Sequence, residues 1–242
     1  MKYLVFSDVH GNAEALAALI EEIERLRPDL VVSLGDVVGY GASPAECVEL
    51  VGRHADITIC GNHDFVASGL GEGDDFNAAA RTAIDWTKSV LSAAQRERLA
   101  AYDSLRRHGE CVFAHASPVD PLEWNYIFTA RDAQRIFRAG GERFVCIGHT
   151  HIPAVFSWRE GAGCRIERSS IIETEPDRRY LINAGSIGQP RDGVSAAGFA
   201  LLDTRKGRIT LRRVPYDIDS AQERIRVCGL PESLASRLVL AD

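Results

Sequence analysis

The chain has 242 residues, 45% of them hydrophobic and 26% charged, with a formal net charge of −6 at pH 7. Those values give a globular protein with a sizeable core. They exclude general binding to nucleic acid or to an anionic membrane surface, both of which take a basic field.

No apolar run approaches the ~20 residues of a membrane span. An apolar strand follows Met1 and Lys2 directly, where a cleaved leader would need its own charged and apolar regions, so a cytoplasmic protein is expected. That strand is the run Tyr3, Leu4, Val5 and Phe6, and it ends on Asp8 and His10. It reads as buried, with a carboxylate and an imidazole presented at its end. Both are ligands for a divalent metal, and neither belongs unpaired in a core.

Asn12 can cap a helix running to about Arg27, with Leu16, Leu19, Ile20, Ile23 and Leu26 on one face and Pro28 ending it. Residues 30–34 are a second strand, with Asp36 just past its end. Ser43, Pro44 and Glu46 predict a capping box at the next helix. Residues 57–60 are a third strand, followed by Asn62, His63 and Asp64. This alternation of strand and helix implies right-handed crossovers and a parallel sheet. In such sheets ligands bind beyond the carboxyl ends of the strands.

Residues 74–107 read as two helices broken at Ser92, a flank or insertion beside the site, with Phe76 and Trp86 as packing residues. Strands then resume. Residues 111–114 lead to His115, residues 144–147 to His149 and His151, and residues 180–182 to Asn183 and Ser186. A helix begins at Thr129 and ends at Gly140 and Gly141. Residues 154–172 and 197–214 read as hairpins, turning at 161–163 and 206–207. Residues 217–240 read as helical, with Leu234 and Leu238 on one face. A sheet that starts parallel and finishes in hairpins predicts an α/β protein with two mixed sheets packed face to face. With no linker or repeat, one domain over residues 1–242 is expected. None of the six cysteines forms a C-x-x-C pair, and they read as reduced core residues.

The polar strand ends form the functional signal. Five of the seven histidines fall there; His54 and His108 lie near predicted helix ends and read as solvated. So many oxygen and nitrogen donors exceed the needs of one tetrahedral ion and suit two ions sharing a bridging carboxylate. Donors without thiolate fit manganese, iron or zinc better than magnesium. Two ions about 3.5–4 Å apart can hold a hydroxide and clamp the oxygens of an in-line displacement, the chemistry of phosphate-ester hydrolysis.

The combined motifs are D-x-H at 8–10, G-D at 35–36, G-N-H-D at 61–64, the strand-end His115 and G-H-T-H at 148–151. In that order they resemble the calcineurin-like metallophosphoesterase superfamily. The segment NAGSIGQPRDG at 183–193 resembles its small bacterial and archaeal phosphodiesterase-like members. The resemblance implies a four-layer α/β/β/α sandwich. It implies that Asp8, His10 and His151 hold one ion, that Asn62, His115 and His149 hold the other, and that Asp36 bridges them. His63 would contact the phosphate or protonate the leaving oxygen, with Asp64 available to orient its ring. A bridging hydroxide would attack phosphorus. Two departures, Ala116 after the strand-end histidine and Ala184 after Asn183, bear on pocket shape more than on metals.

A small phosphodiester is the first expected substrate; a phosphomonoester or a dinucleoside polyphosphate is the second. Arg191 is a candidate grip on a substrate phosphate, with a plain surface arginine as the alternative. Trp124, Asn125 and Tyr126 either wall the pocket, stack on a substrate ring, or simply pack. The oligomeric state is open to a homo-oligomer. Two rivals stand beside this reading. A non-catalytic scaffold on the same fold, as in the retromer coat, can lose its histidines, and this chain keeps them. An HD-type phosphohydrolase, suggested by His63-Asp64, is all-helical, and the strand-rich pattern opposes it.

Overall fold

The structure, a computed structural model, describes residues 1–242. The first five elements are β1 (Lys2–Phe6), α1 (Ala13–Leu26), β2 (Leu30–Ser33), α2 (Pro44–His54) and β3 (Ile57–Thr58). They form the expected parallel unit. Asn12 caps α1, its Oδ1 accepting the Ala15 N–H at 3.0 Å. Pro44 opens α2 as predicted, but the capping box is absent. The Ser43 hydroxyl instead accepts from Arg224 Nη1 at 3.3 Å. The third strand is shorter than its apolar run. It stops at Thr58, and Cys60 N–H donates to the Asp103 carbonyl at 2.8 Å. A helix that the sequence pattern does not disclose, α3 (Asn62–Ser68), begins at once.

α4 (Ala78–Val90) and α5 (Ala93–Ala100) are the two predicted helical pieces, with Ser92 capping the second. The second ends at Ala100 and does not run on toward Arg107. Residues 105–108 form an edge strand, β4 (Leu105–His108), antiparallel to β5 (Cys111–Ala114). His108 is therefore not at a helix end. Its Nδ1 lies 3.0 Å from the Tyr3 hydroxyl.

The remainder is α6 (Ala130–Ala139), β6 (Phe144–Ile147), β7 (Ala154–Arg159), β8 (Gly163–Glu167), β9 (Ile171–Glu173), β10 (Arg179–Asn183), β11 (Ala197–Asp203), β12 (Arg208–Val214), α7 (Ile218–Val227) and α8 (Glu232–Leu240). β7 and β8 make the expected hairpin. Residues 171–173 leave it, however, and β9 pairs with β12 in the other sheet.

The result is an α/β fold with two mixed six-stranded sheets, ordered β3-β2-β1-β11-β12-β9 and β4-β5-β6-β10-β7-β8. Side chains alternate between the faces of a strand, and this sorts the core into layers. Tyr3 and Val5 of β1 meet Phe113, Phe144 and Ile182 between the sheets. Leu4 and Phe6 of β1 face outward, onto Leu16 and Leu19 of α1 and Val48 of α2. On the other outer side, Val145 and Ile147 of β6 pack with Ile136 and Phe137 of α6. Each fully buried aromatic or aliphatic side chain contributes about 1.5–3 kcal/mol. A smaller cluster joins α4, α7 and α8 around Tyr40, through Ala80, Ile225, Leu234 and Leu238, with Trp86 and Phe76 packed against it. All six cysteines are free. No helix is long and apolar enough to cross a membrane.

Candidate metal centre

Three parallel strands from each sheet end at one rim. β1 delivers Asp8 and His10, β2 delivers Asp36, and β3 runs into Asn62 and His63 at the start of α3. From the second sheet, β5 delivers His115 and β6 delivers His149 and His151. Apart from Asn62, every one of these side chains is buried.

The donor atoms meet in two groups of three. In the first, Asp8 Oδ1 lies 3.3 Å from His151 Nε2 and 3.7 Å from His10 Nε2, and the two imidazole nitrogens are 3.1 Å apart. In the second, Asp36 Oδ2 lies 3.3 Å from His115 Nε2, which is 3.1 Å from His149 Nδ1. Asp36 Oδ2 is also 3.5 Å from His10 Nε2, so one carboxylate oxygen stands between the groups. His10, Asp36 and His63 form a third overlapping set.

The outward ring atoms select the tautomer these imidazoles would take as ligands. Nδ1 of His10, His115 and His151 faces the carbonyls of Val38, Leu34 and Gln189, at 3.1, 2.8 and 2.5 Å. A proton on each Nδ1 donates to its carbonyl and leaves the Nε2 lone pair pointing inward, the state a metal-ligating imidazole needs. His149 is turned the other way, with Nδ1 inward. Asp8 Oδ2 accepts the backbone N–H of His149 at 3.0 Å, which leaves Oδ1 for the cluster. Asp8 Oδ1, Asn62 Oδ1 and His149 Nε2 are buried without a hydrogen-bond partner. An orphaned buried polar atom costs about 1–3 kcal/mol. Two of these orphans are acceptor oxygens from the expected ligand set, so these residues fit a divalent cation.

Getting donors over the rim bends the backbone. Asp8, His10, Asp36, His149 and His151 have φ of 55°, 48°, 52°, 66° and 60°, in the left-handed region. For residues with a Cβ this costs roughly 1–2 kcal/mol each. The turns also leave no room beside the ligands. A Cβ at Gly61 would overlap Asp36 N and Oδ1, and one at Gly148 would overlap Ser7 Oγ.

Burial and mutual charge set the protonation of the cation-free cluster. Burial works to raise the Asp36 carboxyl, but His115, His63 and His10 hold it well below the usual range. Burial likewise opposes ionisation of Asp8, and His151, His10 and His115 overcome it. Burial would lower His115, but Asp36 and Asp8 raise it to about 9. Burial takes His63 down to about 3 and His149 to about 4.

His63 lies in the first turn of α3, its ring stacked on Phe76 (4.4 Å between centroids, 28°) and edge-on to His10 (4.8 Å, 83°). Its Nδ1 is shut in beside Gly39. Asp64 does not orient that ring. Its Oδ1 accepts the N–H groups of Val37 and Val38 at 2.9 and 3.2 Å, and its Oδ2 accepts that of Gly61 at 3.1 Å. Successive residues on a helix point about 100° apart, so adjacency in sequence separates His63 from Asp64. Asn183, the remaining polar strand end, ties down the G-H-T-H loop. Its Nδ2 donates to Gly148 O at 2.8 Å and Thr150 Oγ1 at 2.9 Å, and its Oδ1 accepts the Gly185 N–H.

Outside the donors opens a cleft of about 790 Å³. Tyr126 stacks on His149 (4.1 Å, 22°) and Trp124 stands edge-on to His115 (5.9 Å, 71°), so this loop walls the pocket. Arg191 lines the cleft, as do Tyr40, Phe76 and Arg237. No sequence motif points to the carbonyls of Leu34, Val38 and Gln189, because backbone acceptors leave no mark on residue type. Arg237 and Tyr40 carry only a charge and a ring.

A two-sheet sandwich with acidic and imidazole donors converging at the strand ends is the architecture of the metallophosphoesterases. Residues 1–207 match the calcineurin-like phosphoesterase superfamily domain, and the chain belongs to that superfamily. It is 39% identical over 243 residues to an uncharacterized protein of Methanocaldococcus jannaschii, covering 98% of this chain and 96% of that one. Among solved structures, the metallophosphoesterase from Sphaerobacter thermophilus is 38% identical with a TM-score of 0.87, covering 100% of this chain and 99% of that one. A hypothetical protein from Pyrococcus horikoshii shares the fold at a TM-score of 0.82 and 20% identity, over 100% of this chain and 98% of its own.

Proposed function

We propose that this chain is a dinuclear metal-dependent phosphoesterase acting on small phosphodiesters. The observation that carries the reading is the place of Asp36 Oδ2, 3.3 Å from His115 Nε2 in one donor group and 3.5 Å from His10 Nε2 in the other. Asp8, His10 and His151 would hold one divalent cation, Asn62, His115 and His149 a second, and Asp36 both. Donors of oxygen and nitrogen without sulfur favour manganese, iron or zinc over magnesium. Bound there, two such ions supply Lewis-acid charge to the phosphoryl oxygens and acidify water.

The residues around them do the remaining work. The outer carbonyls hold three imidazoles in the inward-facing tautomer. Trp124 and Tyr126 narrow the approach. Burial disfavours the charged form of His63, and with Nδ1 shut in, its Nε2–H is the donor that would contact the phosphate and hydrogen-bond the leaving ester oxygen. Asp64 acts at one remove, holding the 36–38 turn against α3. The complete ligand set favours this reading over a scaffold.

The test is metal-free protein reconstituted with manganese, zinc or magnesium and assayed on phosphomonoesters, phosphodiesters and dinucleotides. Two ions per chain and fastest turnover of diesters are expected. His63→Ala should keep its ions and lose about 10²-fold or more in kcat. Full metal loading with no hydrolysis of any ester would leave only the scaffold.

A further inference from the structure

Beyond the donor atoms, one wall of the cleft carries two arginines that no cation requires. Arg191 stands on the loop after β10. Its Nε and Nη2 donate to Gln189 Oε1 at 3.3 and 2.8 Å, so its charge is answered by a neutral amide. Arg237 comes from the last turn of α8 and has one carboxylate neighbour, Asp242, at 3.8 Å and 67% exposed. The two segments are fastened together, the Gly193 N–H donating to the Ala241 carbonyl at 2.9 Å.

Tyr40 spaces this pair from the ligand rings. Its ring centroid is 4.5 Å from that of His10 and 5.7 Å from the Arg191 guanidinium carbon. Leu234 and Leu238 of α8 share a buried cluster with Tyr40, which fixes the helix against that spacer. Glu72, Asp74 and Asp75 also line the cleft. An anionic group would be repelled by that acidic segment and drawn to the arginines. A guanidinium fork suits a carboxylate or phosphate in two-pronged contact.

We propose that Arg191 and Arg237 form a second anion subsite, which takes a carboxylate or phosphate carried on one arm of the phosphodiester. The preferred substrate then has two anionic centres, the scissile diester at the ions and a second group one ring's breadth away. This rests on the phosphoesterase reading and adds the substrate class to it. It also gives the C-terminal helix, which lies beyond the matched residues 1–207, a part in selectivity.

The test compares p-nitrophenyl alkyl phosphodiesters that are identical except for a neutral, carboxylate or phosphate terminus on the alkyl arm, over a series of arm lengths, with manganese-loaded enzyme. An anionic terminus should raise kcat/KM by roughly 10-fold or more, and the two anionic termini show which group is preferred. Arg237→Gln should erase most of that gain, chiefly through KM, and Arg237→Lys should restore part of it. Independently of turnover, pyrophosphate binding to metal-free protein, read by calorimetry, should weaken about 10-fold in Arg237→Gln. Equal kcat/KM for neutral and anionic arms, with pyrophosphate bound alike by wild type and Arg237→Gln, overturns the subsite. If no diester is hydrolysed, the phosphodiesterase reading falls, and the pyrophosphate measurement decides the subsite alone.

Discussion

Asp8 and His149, 141 positions apart in sequence, position each other: Asp8 Oδ2 accepts the His149 backbone N–H at 3.0 Å. Asp8 follows β1 of the first sheet and His149 follows β6 of the second. Together with the contact of His115 Nδ1 on the Leu34 carbonyl at 2.8 Å, that bond ties the two sheets at the rim, and it turns Asp8 Oδ1 toward His10 and His151. The metal centre is therefore assembled by the packing of the sheets and does not preexist in either half.

Asp36→Asn tests the shared carboxylate. The amide can still accept the His63 N–H, which Asp36 Oδ1 accepts at 2.9 Å, so the fold should survive. It puts N–H groups where His10 and His115 expect an anion. Turnover should fall more than ~100-fold, beyond the effect of losing a ligand's outer partner, and bound metal measured by mass spectrometry should fall with it. Wild-type rate and metal content would contradict the shared role.

Asn183→Ala tests a residue that touches no ion. Its loss leaves the Gly148 carbonyl and the Thr150 hydroxyl without that partner, at a cost of about 2–4 kcal/mol. Urea denaturation should show it. Because the freed loop carries His149 and His151, metal affinity should drop by roughly 10–100-fold.

Gly61→Ala and Gly141→Ala form a matched pair. The new Cβ at 61 overlaps the backbone of Asp36, which no rotamer change relieves. A loss of about 3 kcal/mol or more is expected. At 141 the space is open, and thermal denaturation should shift within about 0.5 kcal/mol of wild type.

Glu142 gives a pH-dependent term with a definite sign. The Arg107 Nε–H donates to its carboxylate at 2.7 Å, and this holds the acid below its ordinary value of 4.5. A depressed carboxyl stabilises the fold above that ordinary value and loses the contribution as pH falls through the lowered one. Glu142→Gln should therefore cost about 0.5 kcal/mol at neutral pH, and the gap should close on acidification below about 4.5. A gap that persisted in acid would rule the ion pair out as its source.

Much of the rim was legible because most ligands stand at the end of a continuous apolar run that is buried on both faces. What escaped the sequence depended on tertiary partners. Leu105, Arg106, Arg107 and His108 hold two exposed arginines between half-buried ends, a pattern compatible with a helix until β5 offers its edge. Ile171 to Glu173 looks like the tail of a hairpin, and only β12 draws it to the other sheet. Ser43 and Glu46 have capping-box spacing, yet Arg224, from a helix 181 positions away, claims the serine. The role of Asp64 failed for a local reason: neighbours in a helical turn face different directions.

The five donors with left-handed backbone carry a further consequence. At each of them glycine would adopt the observed turn more readily, so thermal ruggedness and chemistry pull in opposite directions at the same places. Glycine at 8 or 36, however, would orphan the buried His149 and His63 N–H groups. A library of cation-free variants, screened only for survival on heating, should instead collect asparagine at those two positions, which keeps the acceptor, tolerates the left-handed turn and removes the ligand's charge.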